Sequence, residues 1–464
     1  MKRGLKITMA LILVLALLGG CAPKTKEEIK IKNSVETNEG DRIQTQQNTS
    51  KTYSATPTPI ETWAPYEYES MVNTIEPAEG SERFFNNLPD VPEGESIYDT
   101  TYLDFAFDTF KACCSKDKDE NVLISPASLL FATELAASGA NGETLDEINS
   151  VLFQGLSNEE AASYATAYYD KLNELSEGKL MIANGAFINS KYGNAVYQDY
   201  LDFVQQGYGA QIQTIDESSE SVDLINRWIS WNTRDKIPQI VDEIDPSTVM
   251  LLVNALSFES GWDEVVGTVD WEFYNSKGEV DEITMISSDE NVYSSTKKME
   301  GFIKYYHGNK FAFVGILPYD NEISANEFMQ DFTADDYREF MNNIEYEKFD
   351  LLLPEFSYEY SNENIAGIFD EMGMHKAFIQ GEADFSNTGN IDSIFISSIV
   401  HKTFIEVNRE GTKVSAVTVV HEETYSAPPS ISLDRPFVYM IVDTETMTPL
   451  FIGTVNSIDY QFPG

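Results

Sequence analysis

The sequence predicts one large α+β domain, and three observations lead there. Segments with helical hydrophobic spacing gather early and strand-like apolar runs late, so there is no regular alternation of β and α. No internal repeat or second domain boundary follows residue 95, although 464 residues suffice for one large core or two ordinary ones. The chain closes on two apolar runs, 437–442 and 450–455, which flank a short polar turn and read as a buried hairpin. Helices packed on large mixed or antiparallel sheets are therefore expected over residues 96–464.

The first element is a targeting signal. Lys2, Arg3 and Lys6 precede an apolar run, 7–18, too short to span a bilayer as a permanent helix. The run ends in Leu18-Gly19-Gly20-Cys21, which resembles the lipobox of bacterial lipoproteins. That resemblance implies removal of residues 1–20, lipidation of Cys21 and tethering on the outer side of a bacterial membrane, with release to the extracellular space as a variant. Two or more acyl chains hold stably where one does not. The alternative is an ordinary signal peptide with a chance cysteine. Residues 21–95 are rich in Lys, Glu, Thr, Ser, Asn, Gln and Pro and cannot bury enough apolar surface to offset chain entropy. They read as a flexible tether with a reach of about 45–50 Å. Trp63, Tyr66, Tyr68, Phe84 and Phe85 suit partial docking of its later part.

Order is expected from about Tyr98. Leu103, Phe107, Phe110 and Cys114 recur at helical spacing. Asn121-Val-Leu-Ile-Ser-Pro-Ala-Ser128 ends a short strand and opens a helix, with Ser125 as N-cap and Pro126 in the first turn. Ala132, Ala136, Ala137 and Ala140 give that helix a small face suited to lying beneath a sheet. Gly139-Ala-Asn-Gly142 stops it, and Thr144-Leu-Asp-Glu147 reads as the capping box of the next helix. Strands are expected over 181–189, 249–258, 311–317, 349–353 and 394–407.

Composition excludes several functions. A formal charge of −45 opposes nucleic acid and any heparin-type polyanion. The excess Asp and Glu reads as solubilising an exported surface rather than as a face for a dedicated cationic partner. Cys113 and Cys114 are adjacent, which disfavours a disulfide between them, and read as free thiols with at least one in a core. No CxxC or Cys/His cluster suggests a metal, and no cofactor is expected. The four histidines, His307, His375, His401 and His421, sit beside no G-x-S-x-G, H-E-x-x-H or catalytic-cysteine pattern. A hydrolytic enzyme would need a site the sequence does not display.

The most informative stretch starts at Asn408-Arg-Glu-Gly-Thr412. Small and β-branched residues continue to Val420, then Tyr425-Ser426-Ala-Pro-Pro429 and Arg435-Pro-Phe437. Val, Thr and Ala favour a strand, yet the stretch flows into what reads as exposed loop. With its surroundings it resembles the reactive loop of the serpins, the serine protease inhibitor family. Six further segments resemble serpin signatures in family order. They are Asn121–Ser128, Gly139-Ala-Asn-Gly-Glu-Thr144, Leu252-Val-Asn-Ala-Leu-Ser-Phe258 with Trp262, Asp384-Phe-Ser386, Val400-His-Lys-Thr-Phe-Ile-Glu-Val407, and Pro449-Leu-Phe-Ile-Gly453.

The resemblance implies roles. Ser125, Ser128, Asn254 and His401 match the polar cluster beneath the central strands, where hydrogen bonds can be exchanged rather than merely lost; His401 alone would read as a core histidine. Trp262 matches the point where the loop first enters the sheet, and is equally an ordinary core aromatic. Serpins usually carry an acidic residue at the loop base and a basic one after the proline of the neighbouring strand; here Arg409 and Glu355 stand with both signs reversed. Either the attraction survives with exchanged poles or the reversal is coincidental. The hinge would comprise Arg409, Glu410, Gly411, Thr412, Val414, Ala416 and Thr418. Alternation puts Thr412, Val414, Ala416, Thr418 and Val420 on one uncharged, insertable face of a strand over 411–425, with Lys413 on the outward face.

In the family a target serine protease attacks the loop and forms an acyl-enzyme, and the severed loop enters the main sheet as a strand. Family loop length places the scissile bond at Tyr425-Ser426, with Val420, Glu423 and Thr424 as alternatives. Tyr favours chymotrypsin-like or subtilisin-like targets. The expected state is a monomer that touches the membrane only through lipid. The competing reading is a non-inhibitory serpin, a binding or structural surface lipoprotein.

Overall fold

The computed structural model describes residues 7–19, 101–176, 179–263, 266–409 and 429–458. Its main sheet has six strands in the order Phe356–Asn362, Ile394–Val407, Ile7–Gly19, Thr248–Ser260, Leu180–Asn189 and Gln211–Ile215. All neighbours are antiparallel except the last pair, which is parallel. A second sheet of seven strands carries the C-terminal hairpin, Phe437–Asp443 and Pro449–Val455, in which every residue is buried. A third sheet orders Ser430–Ser432, Phe349–Pro354, Val280–Glu290 and Gly267–Tyr274. The fold is α+β, as expected.

The long strands follow from uninterrupted apolar runs. Thr248–Ser260 is buried along almost its whole length, because the sheet is covered by helices where these residues lie. The helix Pro126–Ala137 runs beneath the main sheet with all its residues buried, including Glu134. Ser125 caps it, accepting from the Ser128 amide at 3.3 Å, and Pro126 occupies the first turn. Thr101–Cys114 presents Leu103, Phe107, Phe110 and Cys114 to the core, and Phe107 meets Phe332 edge-on at 5.1 Å. Cys113 and Cys114 are both free and both buried. Among the described residues no helix is long and apolar enough to cross a membrane.

One expectation needs correcting. Thr144 and Glu147 do not form a capping box, because the helix Gly142–Leu152 begins earlier, with Asn141 as its N-cap residue. The Thr144 hydroxyl instead accepts from the Asp384 amide at 3.0 Å. The Glu147 carboxylate accepts from the amides of His375 and Lys376 at 2.8 and 2.7 Å. Tertiary partners outcompete the local motif.

The apolar run read as a leader, Ile7–Gly19, is a strand of the main sheet. An uncharged Leu/Ile/Val run meets the demands of a leader and of a doubly covered central strand alike. Residues 21–95, read from the sequence as a tether, lie outside the described residues, Cys21 among them.

Candidate functional site: the sheet opening and the base of the loop

The site grows from the ends of two strands. Ile394–Val407 carries the chain up the main sheet to Asn408 and Arg409, and Thr248–Ser260 delivers Trp262 beside them. Trp262 is fully buried and stacks on Tyr306 at 4.8 Å with the rings 7° apart. Its indole N–H donates to the Asn408 carbonyl at 3.1 Å, so the aromatic holds the last residue before the loop base. Beneath it lies Lys304, only 2 % exposed, its ammonium 5.2 Å from the Trp262 ring and paired with Glu290. A buried ammonium is tolerable only with a counter-charge of this kind, and the aromatic face adds attraction.

Arg409 and Glu355 meet at the same corner. The guanidinium donates Nε–H to Glu355 Oε1 at 2.7 Å and Nη2–H to Oε2 at 2.6 Å, and the Arg409 amide also donates to Oε1 at 2.9 Å. The Glu355 side chain is 4 % exposed and that of Arg409 47 %. Glu355 is held in turn by its amide, which donates to the Thr284 carbonyl at 2.9 Å. The chain re-enters the described structure at Pro429, whose carbonyl accepts from the Asp350 amide at 3.0 Å. It continues as Ser430–Ser432, parallel to Phe349–Pro354 at the edge of the third sheet. The loop thus leaves from one sheet and returns to another.

Lower in the sheet the four polar residues expected to cluster do so, within a longer chain of hydrogen bonds. The Ser125 amide donates to His401 Nε2 at 3.3 Å. The Ser128 hydroxyl donates to Asn254 Oδ1, and Asn254 Nδ2 donates to Asn184 Oδ1 at 2.8 Å. Asn184 Nδ2 then donates to the Tyr208 carbonyl at 2.7 Å, and the Tyr208 hydroxyl donates to Glu134 at 3.1 Å. Burial pushes the Glu134 carboxyl up to about 7, with the Tyr208 hydroxyl pulling it back. Burial alone pushes His401 down to about 3, so its ring is neutral.

Asn184, Glu134, Tyr208 and Lys304 were missed in the sequence. Two of them had a signal: Glu134 is the one charge in a helix of mostly apolar residues, and Asn184 interrupts a mostly apolar strand.

The signature segments also converge. Asn141 donates its amide to the Asp384 carbonyl at 2.9 Å and Asn387 donates to that of Gly139 at 3.0 Å, which joins the Gly-Ala-Asn-Gly and Asp-Phe-Ser segments. A Cβ at Gly139 would collide with the Thr388 hydroxyl, so this close approach requires glycine. Arg435 Nη1 donates to the Pro318 carbonyl at 2.6 Å. Glu410, Gly411, Thr412, Val414, Ala416, Thr418, Tyr425 and Ser426 lie outside the described residues. No cluster of metal-ligating side chains occurs among the described residues.

Comparison with known proteins gives a consistent result. The family described as Serpin (serine protease inhibitor) matches residues 100–458. A serpin-like protein of Methanosarcina mazei is 30 % identical over 376 residues, covering 77 % of this chain and 86 % of its own. Alpha-1-antiproteinase of Rattus norvegicus is 27 % identical over 364 residues, covering 76 % and 87 %. Among solved structures, the thermophilic serpin tengpin in its native state superposes with a TM-score of 0.68 at 32 % identity, covering 81 % of this chain and 99 % of its own. Tengpin in its latent state gives 0.66 at 29 % identity, covering 79 % and 100 %. With the family matched over residues 100–458, most of the chain's length, this chain belongs to the serpins.

Proposed function

We propose that this serpin is a suicide-substrate inhibitor of chymotrypsin-like or subtilisin-like serine proteases. The reading rests above all on one observation. The two strands flanking the loop base, Ile394–Val407 and Thr248–Ser260, stand one strand apart, and the space between them accepts a strand antiparallel to both. A loop leaving the top of Ile394–Val407 and turning back would run in that direction in that place.

The chemistry then needs only the loop. The protease serine hydroxyl attacks the Tyr425 carbonyl carbon, the bond to Ser426 breaks, and the new amine departs with the C-terminal fragment. Residues 411–425, still esterified to the protease through Tyr425, add to the sheet with Thr412, Val414, Ala416, Thr418 and Val420 inward. Insertion drags the protease and distorts it before water can deacylate it. Trp262 and the Arg409–Glu355 pair sit where the first inserted residues must pass. The protein acts as a monomer and performs no turnover of its own. Processing at Cys21 holds it by lipid on the outer face of a bacterial membrane, with no role for polyanions.

Incubation with a protease panel and denaturing gels tests this. The expected result is a covalent band with chymotrypsin or subtilisin and a released peptide beginning at Ser426. Tyr425→Arg should redirect trapping to trypsin-like proteases, since the specificity pocket reads that side chain while insertion depends on the residues before it. Cleavage without a trapped complex would leave a non-inhibitory serpin.

A further inference from the structure

A small cavity lies where the helix Pro126–Ala137 meets the helices Gly142–Leu152 and Asn158–Leu175. Its polar lining is Glu134, Ser138, Asn149 and Asn158, and the small side chains of Ala137 and Ala162 leave room for about one water-sized body. Glu134 and Asn149 are 2 % and 4 % exposed. Among the described residues neither Glu134 Oε1 nor Asn149 Oδ1 has a hydrogen-bond partner. Buried polar atoms are nearly always satisfied, so two orphans lining one cavity point to a body between them.

Both orphans are fixed as acceptors by the hydrogen bonds behind them. On one side stands Asp146, an exposed carboxylate that can only accept, and Asn158 Nδ2 donates to it at 2.8 Å. Asn158 Oδ1 is thereby turned to Asn149, whose Nδ2 donates to it at 2.6 Å. Asn149 is left with Oδ1 for the cavity. On the other side the polar chain from Ser128 ends where Tyr208 donates to Glu134 Oε2, which leaves Oε1. The Ser138 hydroxyl donates to the Glu134 carbonyl at 2.7 Å, so its oxygen also keeps a lone pair to offer. Whatever sits here must donate hydrogen bonds or carry positive charge.

A water could bridge the two acceptors, but it would leave the charge of a buried carboxylate uncompensated, and such a charge needs a partner. The helices packed against Pro126–Ala137 carry only two cations, Lys111 and Lys171. Lys171 lies 3.6 Å from Glu445, and the environment acts on Glu134 only through burial and Tyr208. The strands Thr248–Ser260 and Pro449–Val455, which also pack on this helix, carry no cation. We propose that the cavity binds one monovalent cation of potassium or ammonium size, held by Glu134 Oε1 and Asn149 Oδ1 within an all-oxygen polar lining that Ser138 and Asn158 complete. Oxygen donors suit such an ion. Magnesium keeps several of its waters and calcium takes six or more oxygens, so a space for about one water admits neither.

An ion in this place joins two polar chains into one. Asp146, Asn158 and Asn149 on the outer helices continue through it to Glu134 and Tyr208, then to Asn184, Asn254 and Ser128 beneath the main sheet. Because the site needs three helices in register, the unfolded chain cannot form it, and occupancy stabilises the fold by mass action.

The full chain is melted at about pH 8, where the carboxylate is charged, in potassium, ammonium or tetramethylammonium chloride at one ionic strength, so that screening is constant. The melting temperature should rise by a few degrees, and saturate, as potassium or ammonium replaces tetramethylammonium, which is too large for the cavity. A response to ammonium alone assigns the site to hydrogen-bond donation, and one that potassium also produces assigns it to charge and size; both stand within the proposal. Glu134→Gln removes the charge and should abolish the response, so its advantage over the unaltered chain shrinks in potassium. Ala162→Val fills the cavity with all four polar residues in place and should abolish it too. Equal melting temperatures in the three salts overturn the proposal and leave a water between the two acceptors. A response that survives in Glu134→Gln overturns it as well, by placing the ion elsewhere. Should Ala162→Val fail to fold, anomalous diffraction from crystals of the full chain grown in rubidium chloride takes its place. A peak between Glu134 and Asn149 supports the site, and no peak there overturns it.

Discussion

Arg409 reaches Glu355 with two parallel N–H···O bonds of 2.7 and 2.6 Å while its own amide binds the same carboxylate at 2.9 Å. The pair joins the first residue of the loop base to the start of the edge strand Phe356–Asn362, the outer neighbour of Ile394–Val407, with the acid buried and the base half-exposed. The family's usual poles are exchanged, and the attraction is intact. Planar two-pronged pairing of this kind is a property of arginine and not of lysine.

Because Glu355 is buried, losing its partner should cost more than the 0.5–1 kcal/mol or so of an exposed pair. Arg409→Glu should destabilise by about 2–3 kcal/mol by leaving two like charges together, one of them buried. Adding Glu355→Arg should recover a substantial part. A double-mutant cycle on thermal midpoints checks this, and a coupling indistinguishable from zero would reduce the pair to a surface accident.

Glu134→Gln should stabilise the protein above neutral pH. Its folded carboxyl titrates at about 7, raised by burial from 4.5, so the folded state binds its proton more tightly than the unfolded state does. The resulting penalty is absent below about pH 4.5, grows as pH rises through that window and is complete above about 7, at about 3 kcal/mol. Glutamine keeps an acceptor for Tyr208 and carries no charge. Melting curves at pH 4 and pH 8 should show a gain of a few degrees at pH 8 only.

His401 acts with the opposite sign. Its folded value of about 3 lies below the ordinary 6.5 because burial disfavours the cation. Stability from the neutral ring is complete above about pH 6.5 and is lost as pH falls toward 3. In the Glu134→Gln background, where the opposing carboxyl is gone, the acid limb below pH 6.5 should steepen, and a pH series of melting temperatures reads it.

Ala416→Arg should turn an inhibitor into a substrate. On insertion the side chain would point into the core and bury an unpaired charge at a cost of several kcal/mol. The uncleaved fold should keep its melting temperature, while gels show a cleaved chain in place of a covalent complex. Unchanged stoichiometry would mean that the other alternating set faces inward.

Cys21→Ala should abolish lipid labelling and shift the protein from the detergent phase to an uncleaved or soluble form. Equal labelling of the variant would exclude the lipoprotein reading.

Much of this architecture was legible in the sequence because the long strands are apolar runs bounded by polar turns. The run 394–407 coincides with Ile394–Val407, and 311–317 differs from Phe311–Pro318 by one residue. Gly267–Tyr274 escaped, since all but Phe273 in it are exposed and only pairing with Val280–Glu290 makes it a strand. Thr144 and Glu147 misled because a local motif says nothing of Asp384, His375 or Lys376, distant residues that claim the same groups. The clustering of Ser125, Ser128, Asn254 and His401 was readable only through family resemblance. Its extension through Asn184 and Tyr208 to Glu134 required three-dimensional proximity. The composition of Ile7–Gly19 suits export and burial equally, and sequence alone does not choose between them.

The adjacent thiols of Cys113 and Cys114 supply a clock. Burial pushes Cys113 up to about 12 and Cys114 up as well, and alkylating reagents attack only the exposed thiolate. While Thr101–Cys114 stays docked, neither sulfur can react, so labelling counts how often that helix lifts away from the core. For a fold whose proposed work depends on rearranging its main sheet, the labelling rate before and after loop cleavage would time the loss of native mobility without any engineered probe.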